Sequence, residues 1–139
     1  MLEIQIEQIR FDLTWPIRHE AMYPDLPFDS IKLDDDPNGL HFGLYARHQL
    51  TAVVSLFNID NIYQFRKFAT KTTEQNKGYG TILLNHIISY VKEMGGQKIW
   101  CNARVSALEF YNKFGLIQTG EPYTRNGIEF VTMELQLNN

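Results

Sequence analysis

The residues best placed to do chemistry lie between Gln64 and Thr81. Gln64-Phe65-Arg66-Lys67-Phe68-Ala69-Thr70 reads as a strand, and Glu74-Gln75-Asn76-Lys77 leads on into Gly78-Tyr79-Gly80-Thr81 and an apolar helical run. At a helix N-terminus the first backbone N–H groups have no intrahelical partner and carry the positive end of the helix dipole. Two glycines at that point let an anion approach the main chain closely. Arg66, Lys67, Lys71 and Lys77 stand against Glu74 alone, with Lys77 and Lys71 the nearest cations to the glycines. Such a charge run on its own reads as a solvated face; with the glycine turn behind it, it reads as a site for a polyanionic small molecule, a diphosphate above all. The turn is not a Walker A loop, because Gly-Lys-Ser/Thr is missing, and it has two of the three Rossmann glycines. Its strand follows antiparallel strands in mid-chain, unlike a first Rossmann unit.

The elements that must hold this turn follow from periodicity. Residues 2–9 alternate as a strand, with Leu2, Ile4 and Ile6 on one face. Asp12 is placed to cap a helix that runs to about Met22, with Pro16 in its first turn. Residues 23–39 have no sustained period, and their acidic triplet Asp34-Asp35-Asp36 reads as a solvated turn. Strands are expected at Leu40–Ala46, Thr51–Ile59 and Ile62–Thr70, joined as antiparallel hairpins by short polar connections. From Gly80 to Met94, Leu83, Leu84, Ile87, Ile88, Val91 and Met94 recur at helical spacing, and Gly95-Gly96 stops the helix. A strand at Lys98–Asn102, a helix from about Ser106 to Lys113, and strands near Leu116–Thr119 and Ile128–Leu137 complete the chain. Hairpins beside strand–helix alternation imply a mixed sheet. The expected class is α/β, with a central sheet of about seven strands flanked by helices on both faces.

Two segments in this order resemble a known family. Gln75-Asn76-Lys77-Gly78-Tyr79-Gly80 is similar to the Gln/Arg-x-x-Gly-x-Gly/Ala motif of the GNAT acetyltransferases. Ala107-Leu108-Glu109-Phe110-Tyr111-Asn112-Lys113-Phe114-Gly115-Leu116 resembles that family's second segment, A-x-x-F/L-Y-x-K-x-G-F. The resemblance covers roughly residues 40–137, the first 40 more loosely, and implies one GNAT domain over residues 1–139 with acetyl-CoA as co-substrate and no metal. It implies that the backbone of Phe68, Ala69 and Thr70 hydrogen-bonds the pantetheine arm. The loop Gln75, Asn76, Lys77, Gly78, Tyr79, Gly80 and Thr81 would hold the pyrophosphate through its N–H groups. Tyr111 matches the family tyrosine that protonates the departing CoA thiolate, a role suited to a phenol of pKa about 10. Read without the resemblance, Tyr111 is a core aromatic of an amphipathic helix.

Departures from the family pattern leave positions open. Where the family commonly has Asn or Gln to touch the cofactor arm, this chain has Arg104, with Asn102 on the same strand face, and either fits. The strand before the loop offers Arg66, Lys67 and Phe68 where many members carry a glutamate base. Glu20, His19 and His41 are the remaining candidates, and the base is unassigned. Arg18 and Arg66, with Arg104, suit a carboxylate or phosphate on the acceptor, since guanidinium is a bidentate fork; internal ion pairing is the competing reading. The expected reaction is transfer of acetyl from acetyl-CoA to the primary amine of a small molecule, by direct attack in a ternary complex. The rivals are a non-catalytic acyl-CoA sensor and a small phosphate-binding domain sharing only the glycine turn.

Composition sets outer bounds. The chain has 139 residues, 44% hydrophobic and 21% charged, with net charge −3, which gives no general reason for nucleic-acid binding. No apolar run reaches the roughly 18 residues needed to cross a bilayer. The alternating, acid-bearing start reads as mature protein and not as a signal peptide, and with one cysteine this predicts a cytoplasmic location. Cys101 reads as a small core residue, and the four histidines lack metal-ligand spacing. Homodimers are common in the family, but no interface is legible.

Overall fold

The computed structural model describes residues 3–137. Its strands are β1 (Ile4–Ile9), β2 (Leu40–Ala46), β3 (Gln49–Ile59), β4 (Ile62–Thr70), β5 (Lys98–Arg104), β6 (Ile117–Arg125) and β7 (Ile128–Gln136), and its helices are α1 (Trp15–Met22), α2 (Tyr79–Glu93) and α3 (Leu108–Asn112). The strands form one mixed sheet in the order β1-β2-β3-β4-β5-β7-β6, as the alternation of hairpins and crossovers predicts. β4 and β5 are parallel, while β1–β2, β2–β3, β5–β7 and β6–β7 are antiparallel. The expected face of β1 included Leu2, which lies outside the described residues. Among the described residues no helix is long and apolar enough to cross a membrane.

The chain divides into two compact units. The first comprises the residues up to Phe57 together with Arg66–Ile87, and the second comprises Asn58–Phe65 and the residues from Ile88 onward. In the first, Ile17, Val53 and Ala69 form a buried cluster against which Ile9, Ala21, Met22 and Leu50 pack. In the second, Ile99, Cys101 and Ala103 of β5 and Val131 and Met133 of β7 are buried in alternation, as strand geometry requires. α2 buries Leu83, Leu84, Ile87, Ile88 and Val91, the stripe its period of apolar residues predicts, and leaves Met94 exposed beyond its end.

Tight turns are set by backbone that few residues adopt. Arg47-His48, Asp60-Asn61 and Asn126-Gly127 all have positive φ at both positions, the geometry of two-residue hairpins. Gln49, read from sequence as part of the first connection, therefore begins β3.

Three sequence expectations are corrected. Asp12 does not cap α1; it pairs with Arg10 at 3.1 Å within a 3-10 turn over Phe11–Thr14, and Pro16 occupies the first turn of α1 as expected. β6 runs to Arg125, well past the expected end at Thr119, through an irregularity between Thr119 and Tyr123. Gly120-Glu121-Pro122 lies within this irregularity, Gly120 at φ 78° and the proline tolerated because β6 is an edge strand of the sheet. Finally, the acidic triplet is not wholly solvated: Asp36 is buried.

Candidate functional site

In the first unit, β4 delivers the chain through a 3-10 turn at Thr72–Glu74 into the loop that starts α2. Asn76 and Gly78 take φ values of 65° and 88°. A side chain at Gly78 would meet nothing within 4 Å, so the space beside this turn is open and the glycine is required by its backbone alone. At Gly80 an added Cβ would touch the Phe68 ring at 3.4 Å, so strand and helix start are closely apposed. The Ile82 N–H bonds to the Gly78 carbonyl at 3.2 Å, which leaves the N–H groups of Tyr79, Gly80 and Thr81 at the open end of a fifteen-residue helix. Open N–H groups beside an unobstructed glycine turn at a helix N-terminus fit an anion such as a diphosphate.

Side chains tie the loop down. The Gln75 amide turns back to donate to the Thr70 carbonyl at 3.2 Å, and the Lys71 N–H bonds to the Thr51 carbonyl at 2.9 Å. The Lys77 ammonium donates to Glu74 at 3.3 Å, and Arg47 lies 3.8 Å from the same carboxylate. Part of the local positive charge is thus spent within the loop, while Lys71 has no ion pair among the described residues. The Thr72 N–H donates to the Glu20 carboxylate of α1 at 2.9 Å. Glu20 therefore anchors the loop in place of standing free as a base. Tyr79 points its ring into the interior, where its hydroxyl is buried without a partner.

Lys67, in β4 just before Phe68, Ala69 and Thr70, takes φ 56°. Left-handed backbone at a non-glycine residue inside a strand is strained by about 1–3 kcal/mol. Its ammonium donates to the Tyr23 hydroxyl at 2.7 Å. Arg66 lies over the Phe57 ring at 5.7 Å and 3.9 Å from Asp35, with about a third of its side chain exposed.

Arg18 does not present its guanidinium to an acceptor; this expectation is overturned. The side chain is fully buried, 2.9 Å from Asp36, and also donates to the Ile31 carbonyl and to Ser55 Oγ, each at 3.0 Å. Asp36 further accepts from Trp15 Nε1 at 3.0 Å and from the Leu33 N–H at 2.9 Å. Burial pushes its carboxyl upward, but the hydrogen bonds from Arg18, Leu33 and Trp15 outweigh that and hold it below the usual carboxylate value.

His41 belongs to the same network. Its Nε2 lies 2.8 Å from the Asp36 carbonyl, which can only accept, so Nε2 carries the hydrogen; Nδ1 then accepts from Ser55 Oγ, also at 2.8 Å. Burial lowers its pKa, and with both nitrogens occupied it is not available as a base. His19 Nε2 donates to the Leu26 carbonyl at 2.8 Å.

In the second unit, α3 carries Tyr111 against Phe65 and Phe110, at centroid distances of 5.8 and 5.2 Å. Burial, with Cys101 nearby, holds the phenol well above its ordinary value, so it keeps its proton throughout the neutral range. Asn102 accepts from Thr132 Oγ1 at 2.9 Å through its side-chain oxygen, which leaves the amide nitrogen to donate elsewhere. The Arg104 side chain is exposed and has no hydrogen bond or ion pair among the described residues. Cys101 is buried, its thiol pushed up to about 12, as a core residue and not a nucleophile would be. Among the described residues no three His, Cys, Asp or Glu side chains cluster as metal ligands.

Three further contacts are not specified by the sequence: Lys67 with Tyr23, Glu20 with the Thr72 N–H, and Asp36 as the partner of Arg18. Each joins residues many positions apart on elements of different type, and only an expected ion pair for Arg18 had a signal at all.

Comparison with known proteins agrees with this geometry. The sequence model of the GNAT acetyltransferase domain matches residues 20–137. The uncharacterized N-acetyltransferase YitI of Bacillus subtilis is 27% identical over 134 residues, covering 90% of each chain. The ribosomal-protein-S18-alanine N-acetyltransferase of Escherichia coli has the same fold at a TM-score of 0.81 and 16% identity, over 99% of this chain and 96% of its own. A Bacillus subtilis acetyltransferase solved in complex with CoA superposes at a TM-score of 0.75 with 21% identity, over 99% of both chains.

Proposed function

Because the chain belongs to the GNAT acetyltransferase family, we propose that it transfers the acetyl group of acetyl-CoA to the primary amine of a small molecule, by direct attack within a ternary complex. The observation that carries this reading is the turn at Asn76–Thr81, where positive backbone angles at Asn76 and Gly78 and open space at Gly78 leave the N–H groups of Tyr79, Gly80 and Thr81 at the N-terminus of α2. These groups hold the diphosphate with the helix dipole behind them. Acetyl-CoA supplies the acetyl group activated as a thioester. The backbone of Phe68, Ala69 and Thr70 bonds the pantetheine arm, and N–H groups near Ala69 and Thr70 polarise the thioester carbonyl. Tyr111 is assigned to protonation of the departing thiolate; its phenol reaches that step with its proton in place. Arg104 and the Asn102 amide nitrogen are the available donors for the cofactor arm on β5.

The acceptor amine, in this reading, also carries an acidic group. Arg66, loosely held and partly exposed, supports that class; Arg18 no longer does. A glutamate base on β4 is absent, and with His41 enclosed and Glu20 engaged no side chain is assigned as base.

The test is calorimetric titration of the purified protein with acetyl-CoA, run beside a thiol-release assay on amines with and without carboxylate or phosphate groups. Saturable binding with turnover of acidic amines is the expected result. Binding without turnover of any amine would favour an acyl-CoA sensor, and no binding would end the reading altogether.

A further inference from the structure

Lys67 is a half-buried cation that has no counter-charge among the described residues. Lys32, Lys77, Lys98 and Arg18 each lie within ion-pair distance of a carboxylate. Among the described residues no carboxylate lies within that distance of the Lys67 ammonium, which rests 4.6 Å from the centre of the Tyr23 ring and donates to its hydroxyl at 2.7 Å. A partly desolvated ammonium that meets only a neutral oxygen is under-compensated, and an anion is the ligand that would complete it. The hydrogen bond also fixes what the tyrosine offers. Its oxygen accepts from Lys67, so its own hydrogen points away as a donor, and the ammonium keeps two further hydrogens. The ammonium's remaining hydrogens and the phenol hydrogen thus stand side by side, with no further acceptor among the described residues.

We propose that Lys67 and Tyr23 together receive a carboxylate on the acceptor amine, one oxygen bonded by the ammonium and the other by the phenol. The proposal rests on the acetyltransferase reading above and makes its acidic-acceptor class specific. The pair lies on the strand residue next to Phe68, Ala69 and Thr70, so a carboxylate held there places the amine beside the stretch assigned to the acyl arm. Lys67 also has left-handed backbone, φ 56°, a local distortion of β4 of the kind that re-aims a side chain. The pair offers a single positive charge and one phenol donor, which matches the single charge and two oxygens of a carboxylate.

Two measurements test this, one of them independent of turnover. In the first, the protein labelled in its tyrosine rings is titrated with propionate and, as a neutral control, propionamide. A saturable shift of the Tyr23 resonance with propionate alone, lost in Lys67→Met, is expected; an unshifted Tyr23 overturns the proposal. In the second, kcat/KM is compared for β-alanine, β-alaninamide and aminoethyl phosphate in the wild type, Lys67→Met and Tyr23→Phe, with acetyl-CoA affinity reporting that each variant is folded. The preference for the acid over the amide should fall about tenfold or more in Lys67→Met and less in Tyr23→Phe. An unchanged ratio, or a wild-type preference for the phosphate, overturns it. If Tyr23 responds to propionate while no amine is turned over, the carboxylate site stands and the acetyltransferase reading fails.

Discussion

The Arg18 guanidinium and the Asp36 carboxylate meet at 2.9 Å with neither exposed to solvent, and between them they fasten α1 to the long segment before β2. Two charges taken from water are tolerable only when their attraction is backed by further hydrogen bonds. Asp36 accepts four hydrogen bonds, two of them from Arg18, and Arg18 reaches two further oxygens; Arg18 Nε alone is left unmet.

Removing one partner should therefore cost far more than removing both. Asp36→Ala strands a buried guanidinium and is expected to lose about 3–5 kcal/mol of stability. The double variant Arg18→Met, Asp36→Leu should recover most of that loss. Urea unfolding of the two measures it, and a single variant as stable as the wild type would show the pair to be solvent-accessible in solution.

The same network predicts an acid-sensitive fold. His41 is neutral in the native state, with its pKa lowered from the ordinary 6.5 by burial. The unfolded chain binds this proton first as pH falls, so the stabilisation is complete above about pH 6.5 and is lost progressively below it. Asp36, lowered below its ordinary 3.8 by its hydrogen bonds against the pull of burial, keeps its contribution until the pH falls through that region. Protonating His41 would also place a second positive charge beside Arg18. Melting temperature should fall between pH 7 and 5 in the wild type, and the slope should flatten in His41→Asn. Parallel slopes would remove His41 from the account.

Gly78 separates backbone strain from cofactor binding. Its φ of 88° makes Gly78→Ala strained by about 1–2 kcal/mol, although nothing obstructs the methyl group. Gly95, past the end of α2, has φ 77° and equally open surroundings, and so serves as a control. Both alanine variants should melt earlier by similar amounts. Only Gly78→Ala should weaken acetyl-CoA binding, by about tenfold as the N–H groups are re-aimed (roughly 1.4 kcal/mol). Equal affinities in the two variants would move the diphosphate away from this loop.

Much of the fold is legible in sequence because its signals are local. The glycine turn after β4, the apolar period of α2 and the short hairpin connections each reside within a few residues, and the structure returns them with bounds shifted by one or two. What was hidden depends on partners far along the chain. Asp34, Asp35 and Asp36 are alike in sequence, and only the third meets Arg18, 18 positions away. Lys67 and Tyr23 are 44 positions apart, on a strand and at a helix end, and neither carries a pattern that names the other. The end expected for β6 at Thr119 is wrong for a related reason, since pairing with β7 resumes at Tyr123 after an irregularity.

Tyr111 offers the sharpest division between a structural and a chemical role. Its ring packs against Phe65 and Phe110, and phenylalanine keeps that packing while deleting the proton. Tyr111→Phe should bind acetyl-CoA with unchanged affinity and melt at nearly the wild-type temperature. Its kcat should fall about 10²-fold or more, the contribution of a placed acid to expulsion of a thiolate. The raised pKa adds a second signature. Burial keeps the phenol protonated past its ordinary 10, so the wild-type rate should show no decline assignable to Tyr111 below that pH. A kcat within twofold of wild type would leave Tyr111 a packing residue and place the proton for the thiolate on solvent.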